Sequence, residues 1–248
     1  MDSVVILKTE ISVTSVDEVA EILQQKNLTT VAVCNANSLV RAYRDDALQK
    51  KLNSFTIRVS DGFPVAKASN ILYKNKQKRV DGFNILHKTI EKGLEKKTSH
   101  YFYGNTEDVT KKLISKLLSK YPNINIAGFS CPPFDTYENL VEQNYIKDIQ
   151  DKDPDIVWVS LGYPKQEEFI DLIKHKHILN SNLIGIGGVF EWVAGTKRKA
   201  PELLANLGVE WVFRLIQEPT RLFKRYFIDN LLFIIYFIKQ IFTKRYGN

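Results

Sequence analysis

Apolar residues recur along the first 190 positions in two alternating rhythms. Short bounded runs of apolar, β-branched and aromatic residues predict buried strands at Thr30–Cys34, Phe55–Val59, His100–Tyr103, Ile124–Ala127, Ile156–Ser160 and Leu183–Ile186. Val4–Leu7 and Ile11–Val13 are shorter runs that fit one hairpin or an extended edge. Between them, apolar positions three and four residues apart predict helices. Ser15 is placed to cap the first, with Val16, Val19, Ala20 and Leu23 facing inward. Others cover Leu39–Leu52, Pro64–Leu72, Asn84–Lys96, Thr106–Ser119 and Tyr137–Ile149, and one opens at Lys165. Asn35–Ser38 reads as a polar turn and Lys74–Arg79 as a basic loop. This alternation predicts an α/β fold, with a mostly parallel sheet covered by helices on both faces.

After Gly195 the rhythm changes. Pro201–Leu207, Val209–Gln217 and Thr220–Thr243 all have helical spacing and no further strand appears. Residues 1–195 are therefore expected to form the core, and residues 196–248 a helical appendage. In the last helix Leu231–Ile238 is a run of eight apolar residues, far short of the roughly 20 a spanning helix needs. At about 100° per residue, Arg221, Arg225, Asp229, Lys239, Gln240 and Thr243 share one arc opposite a broad Leu, Ile, Phe and Tyr face. That is the profile of a helix lying in a membrane interface. The alternative is a helix packed on its own domain or on a second copy in a homo-oligomer.

Composition sharpens this picture in two places. The net charge is +7, and from Lys197 onward ten basic residues face four acidic ones, so almost all of the excess lies in the appendage. Such a patch seeks phosphate on an anionic membrane surface, a diphosphate substrate or nucleic acid. Nucleic acid is not the expected partner, because the basic residues alternate with a continuous apolar face and not with isolated stacking aromatics. Cys34 and Cys131 give neither a disulfide framework nor a zinc spacing. MDSVVILKTE lacks the basic and long apolar regions of a secretory signal, so a cytoplasmic location, peripheral on the inner face of the cell membrane, is expected.

Parallel strands would bring four turns to one sheet edge: Asn35-Ala36-Asn37, Ser60-Asp61-Gly62, Gly162–Glu167 and Gly187-Gly188. The third lies in DIVWVSLGYPKQEEF, a strand, a glycine turn and a helix start. There Pro164 sits in the first turn, followed by Lys165, Gln166 and Glu167. Asp61 is a candidate general base or a helix cap; Asn35 and Asn37 offer amides to a sugar or phosphate. Gly185–Gly188 lacks the full GxGxxG spacing of a dinucleotide loop, and no cofactor is implied. Asp151-Lys152-Asp153 has the DxD pattern of metal-dependent sugar transferases, but it precedes its strand and falls on the opposite edge. Charge on a leaving diphosphate would then fall to helix N-termini, Arg79 and the appendage arginines.

Several blocks in order, among them VSLGYPKQEEFI (159–170), GIGGVFEWVAGTKRKAP (185–201) and GVEWVFRLIQEPTRLFKRY (208–226), closely resemble the WecG/TagA/CpsF family of bacterial glycosyltransferases. NANSLV (35–40), SDGFPVA (60–66), RVDGFNIL (79–86) and YFYGN (101–105) support the match. The resemblance implies a Rossmann-like fold. It implies inverting, metal-independent transfer of an N-acetylhexosamine or relative from a UDP-sugar to a polyprenyl-diphosphate-linked acceptor in teichoic acid, capsule or related synthesis. By motif position it implies Asp61 as catalytic base and Arg79 as a diphosphate contact. Gln166 and Glu167 would lie near the nucleotide, in a site also drawing on Gly162, Pro164, Lys165, Gly187 and Gly188. Arg214, Arg221, Lys224 and Arg225 would face the acceptor diphosphate and the membrane. Three positions depart from the family pattern: Asn35 replaces a threonine found in many members, Asn84 an aspartate and Lys199 an arginine.

Overall fold

A computed structural model describes residues 1–142 and 144–246, the side chains of residues 142, 144, 206, 221, 224–226 and 244–246 excepted. The chain opens with an antiparallel hairpin, β1 (Ser3–Ile6) and β2 (Thr9–Ser12). Helix α1 (Val16–Ile22) follows, capped by Ser15, whose hydroxyl accepts from the Glu18 N–H while the Glu18 carboxylate returns to Ser15 N. The remaining strands are β3 (Thr30–Cys34), β4 (Ile57–Ser60), β5 (Ser99–Gly104), β6 (Asn125–Ser130), β7 (Ile156–Ser160) and β8 (Asn182–Gly185). They form one wholly parallel sheet in the order β4-β3-β8-β7-β5-β6.

Alternation along these strands sends side chains into two separate cores. In β7, Val157 and Val159 join one core while Ile156 and Trp158 join the other. Both sets are apolar because both faces are covered, which is why the strands read as continuous hydrophobic runs. On the first face lie α2 (Ala36–Arg44), α3 (Asp46–Asn53), α4 (Phe63–Tyr73), α7 (Tyr137–Glu142), α8 (Asn144–Lys152) and α9 (Lys165–His175). On the second lie α1, α5 (Gly82–Gly93), α6 (Glu107–Lys120) and α10 (Val189–Ala194). Neighbouring strands β3 and β8 thus lead into helices on opposite faces, and a crevice opens between their carboxyl ends.

The structure corrects several sequence expectations. Asn35–Ser38 is no loop: Asn35 is the N-cap of α2, and Asn37 and Ser38 already lie in its first turn. The helix expected over Leu39–Leu52 is broken at Asp45, whose carboxylate accepts from the N–H groups of Ala47 and Leu48 and so starts α3. Tyr137–Ile149 is likewise two helices, with residue 143 between them outside the described residues. Helix α10 had no expectation at all; its six residues are too few to show a period.

The appendage consists of α11 (Glu202–Asn206), α12 (Glu210–Gln217) and α13 (Pro219–Tyr246). Helix α13 lies along α2, burying Leu222 and Phe233 and stacking Tyr236 on Tyr43 at 4.7 Å between ring centroids. Two members of the supposed solvent-facing polar stripe point inward. The Asp229 carboxylate accepts from the Asn37 amide, and Gln240 bonds the hairpin backbone twice, accepting from Leu7 N at 3.0 Å and donating to Val5 O at 2.8 Å. Phe223, Phe227, Leu231, Ile234, Ile238 and Phe242, spaced three or four apart, form an exposed apolar ridge instead. Among the described residues no helix is long and apolar enough to cross a membrane.

The turns at the carboxyl edge are tied to one another. Asn105 N donates to Ser160 O at 2.9 Å, Ser160 Oγ to Gly187 O at 2.8 Å, and Asp61 N to Cys34 O at 2.8 Å. Gly104 makes the first tie possible: its φ is +102°, and a Cβ there would come 2.5 Å from Ser160 O. Gly104→Ala is expected to destabilise the protein by about 3 kcal/mol or more, lowering Tm in a thermal melt by roughly 6–12 °C.

Candidate functional site

A cavity of about 580 Å3 occupies the crevice at the carboxyl edge. All four turns expected there line it, through Asn35, Asn37, Asp61, Gly162, Gln166, Glu167, Gly187 and Gly188 among others. The appendage forms its roof, with Lys197, Glu210, Trp211, Arg214, Leu222 and Asn230 facing the same space. Pro164 does not reach the lining; it stands behind it as the N-cap of α9, and the Tyr163–Pro164 peptide is cis.

Asp61 follows β4 and sits half-buried in this cavity. Burial is the main reason its carboxyl is pushed up to about 7, with the charges of Glu210 and Asp81 adding to the effect and those of Arg79 and Arg214 opposing it. A carboxylate that changes charge near neutral pH is matched to general-base work. The helix-cap alternative does not hold: the N-cap of α4 is Gly62, with no side-chain cap.

The arginines are engaged. Arg79 Nη2 lies 3.1 Å from Asp81 Oδ2 and Nη1 lies 2.5 Å from Glu210 Oε2. Arg214, one turn after Glu210 on α12, stacks its guanidinium over Trp192 at 4.9 Å from the ring centroid. The side chains of Arg221, Lys224 and Arg225 lie outside the described residues. Asn35 spends its side-chain carbonyl oxygen on the Ser38 N–H in a capping box that starts α2, and it also lines the cavity. Asn37 lines the cavity, yet its amide nitrogen holds Asp229, and its buried Oδ1 has no hydrogen-bond partner among the described residues.

Gln166 is 5% exposed, donates to Glu167 Oε1 at 3.0 Å and leaves its own Oε1 buried with no hydrogen-bond partner among the described residues. It fits only because residue 185 is glycine, where a Cβ would come 2.8 Å from Gln166 Nε2. An orphaned buried acceptor on a cavity wall is costly unless a ligand N–H or water satisfies it. Lys165 also lines the cavity, donating to Asp135 O at 2.6 Å with its ammonium 3.5 Å from the ring centroid of Phe134, another lining residue.

Asn84 and Lys199, two of the departures from the family pattern, have partners of their own. Asn84 Nδ2 donates to Asp81 Oδ2 at 2.7 Å, and the Lys199 ammonium lies over the Phe83 ring at 4.0 Å. The Asp151–Asp153 segment is at the opposite edge, where Asp153 pairs with Lys26 at 2.7 Å. Among the described residues no group of three or more His, Cys, Asp or Glu is placed to hold a metal ion.

Sequence reasoning missed Asn105, Glu191, Trp192, Glu210 and Trp211, all of which line the cavity. Asn105 ends a parallel strand, so the rule that found the other four turns applies to it. The repeated Glu-Trp dipeptides at 191–192 and 210–211 were a visible signal of the others.

Asp61 gives a pH signature of stability. Its folded pKa lies above the unfolded value, so ionisation costs the fold nothing below about pH 4, an increasing amount between 4 and 7, and a constant amount above. Asp61→Asn should therefore raise Tm at pH 8 by roughly 2–6 °C, with the gain fading towards pH 4. Melts across that range check both sign and window.

A model of the family described as "Glycosyl transferase WecG/TagA/CpsF family" matches residues 4–247. The chain is similar to N-acetylglucosaminyldiphosphoundecaprenol N-acetyl-beta-D-mannosaminyltransferase of Bacillus subtilis (strain 168), with 32% identity over 202 residues, 80% of this chain and 75% of the relative. The enzyme of the same name from Bacillus spizizenii (strain ATCC 23059 / NRRL B-14472 / W23) is 30% identical, again over 80% and 75% of the two chains. That from Staphylococcus aureus (strain MW2) is 28% identical over 80% of this chain and 76% of the relative. Nearly the whole chain, core and appendage together, is covered by the family match, and it belongs to the WecG/TagA/CpsF family of glycosyltransferases.

Proposed function

We propose that this chain transfers an N-acetylhexosamine, with N-acetylmannosamine the first choice, from a UDP-sugar to a sugar carried on a polyprenyl diphosphate. The names of the relatives support the acceptor class and the sugar. The observation that carries the chemistry is Asp61, with its raised pKa, in the same cavity as Arg79 and Arg214. Asp61 takes the proton of the acceptor hydroxyl while that oxygen bonds to the anomeric carbon. The bond from that carbon to the nucleotide oxygen breaks, and UDP departs. One displacement at one carbon inverts its configuration. Arg79 and Arg214 supply positive charge for the leaving diphosphate, and Gln166 Oε1 is a ready acceptor for an N–H of the nucleoside. The DxD segment at Asp151–Asp153 lies at the far edge, so this charge compensation is assigned to the arginines.

The acceptor's lipid brings the enzyme to a membrane. The appendage also exposes Ile216 and Leu203 besides the ridge of α13, and clustered exposed apolar side chains point to an interaction surface. Together with the basic excess of the appendage, this supports peripheral binding to an anionic bilayer. The proposed domain organisation follows the same division: the core to residue 195 carries the sheet, and the described part of the appendage roofs the cavity and would meet the lipid.

Turnover is tested with UDP-N-acetylmannosamine and a short-chain polyprenyl-diphosphate N-acetylglucosamine, following UDP release and reading product anomericity by NMR. Release of UDP with a β-linked product from an α-linked donor is expected; no release with any UDP-hexosamine sinks the reading. The kcat/KM should rise with pH to a plateau, half-maximal near 7, where Asp61 loses its proton. Asp61→Asn should lower kcat by about 10²–10⁴-fold. For the membrane, Phe227→Glu combined with Ile234→Glu alters only exposed ridge positions and should abolish co-sedimentation with phosphatidylglycerol vesicles without changing Tm by more than a few degrees. Undiminished vesicle binding by that variant would refute the ridge as the membrane contact.

A further inference from the structure

Glu210 stands in an unusual position for a carboxylate. It comes from the first turn of α12 in the appendage, yet its Oε2 sits on Arg79 of the core at 2.5 Å and its Oε1 lies 3.8 Å from Arg214. The Arg79 and Glu210 side chains are only 12% and 20% exposed, so this is no solvent-screened surface pair. One anionic group bridging two arginines across a cavity reproduces the arrangement that those arginines would make around a phosphate.

Charge makes the position more telling. Within the cavity, the charges that act on Asp61 are those of Glu210 and Asp81 on one side of the balance and of Arg79 and Arg214 on the other. Asp81 is fixed in the core: it caps α5 by accepting from Asn84 N at 3.1 Å, and it also binds the Asn84 amide. Among the described residues Glu210 has no such tie, and its carboxylate pairs with the two arginines alone. With Glu210 in place, an incoming diphosphate meets an arginine that is already doubly neutralised. Once Glu210 is gone, Arg79 keeps one carboxylate, and the balance at the fork changes by a full charge.

We propose that Glu210 is a stand-in anion, holding the Arg79–Arg214 fork in the free protein and displaced by the diphosphate of an incoming ligand. Binding a diphosphate and releasing α12 from Arg79 are then one event. The exchange also selects among anions. A single carboxylate is outcompeted by a group that carries more charge and can bridge both arginines, so pyrophosphate succeeds where orthophosphate does not. This rests on the reading above only in taking the natural ligand to carry a diphosphate.

The test is equilibrium binding, by calorimetry, of inorganic pyrophosphate and of orthophosphate to the full chain and to Glu210→Gln and Glu210→Asp. Glutamine keeps the shape without the charge. Aspartate keeps the charge but falls short of Arg79, and covers the case in which glutamine disturbs folding. Both variants are expected to bind pyrophosphate roughly tenfold more tightly, and Glu210→Gln should gain measurable orthophosphate binding. Unchanged or weakened pyrophosphate affinity in folded variants would make Glu210 a structural clasp and overturn the proposal. Pyrophosphate carries neither nucleoside nor sugar, so failure of every UDP-sugar to turn over would sink the transferase reading without affecting this outcome.

Discussion

Six strands running in the same direction leave every carboxyl end at one edge, and the rest of the molecule depends on that constraint. Parallel pairing requires a crossover after each strand, and each crossover begins with a turn at that edge. The turns and the helix starts that follow them supply most of the candidate site residues, because that is where the chain leaves the sheet. Their mutual hydrogen bonds, such as Ser160 Oγ to Gly187 O, fix them relative to one another before any ligand arrives. The opposite edge carries the DxD segment, paired with lysines in solvent.

The appendage is held by a different principle. Its apolar face alone would slide along α2, since dispersion is indifferent to register. Asp229 on Asn37 and Gln240 on the hairpin backbone each accept only one position of the helix. Polar bonds are worth little net stability and much geometry. They set where Leu222 and Asn230 fall over the cavity, and so shape its roof.

Much of this was legible in the sequence, and the limits have physical causes. Thr30–Cys34 and Ile156–Ser160 were readable to the residue because strands buried on both faces give unbroken apolar runs with polar ends. The break at Asp45 was not, because the helical period continues through it and only the cap geometry interrupts it. Asp61 and Gln166 could be placed at the edge because topology alone dictates it. Glu210 could not, since its partner lies 131 residues away and depends on how the appendage docks. For α13, the period gave an amphipathic helix but not which side turns inward. Asp229 and Gln240 point to the core because partners await them there, a fact of tertiary structure.

Helix α13 lends Leu222 and Asn230 to the cavity roof and shows its apolar ridge to solvent. An α-helix with its side chains is about 10–12 Å across. If the ridge rests on a bilayer, that single thickness sets the height of the reacting sugar above the acyl chains, close to where a lipid-linked diphosphate already sits. The acceptor then need not be drawn out of the membrane, and the enzyme need not enter it. On the proposed membrane reading, a helix of fixed diameter would act as the spacer, and the depth of the chemistry would follow from backbone geometry and not from the strength of membrane binding.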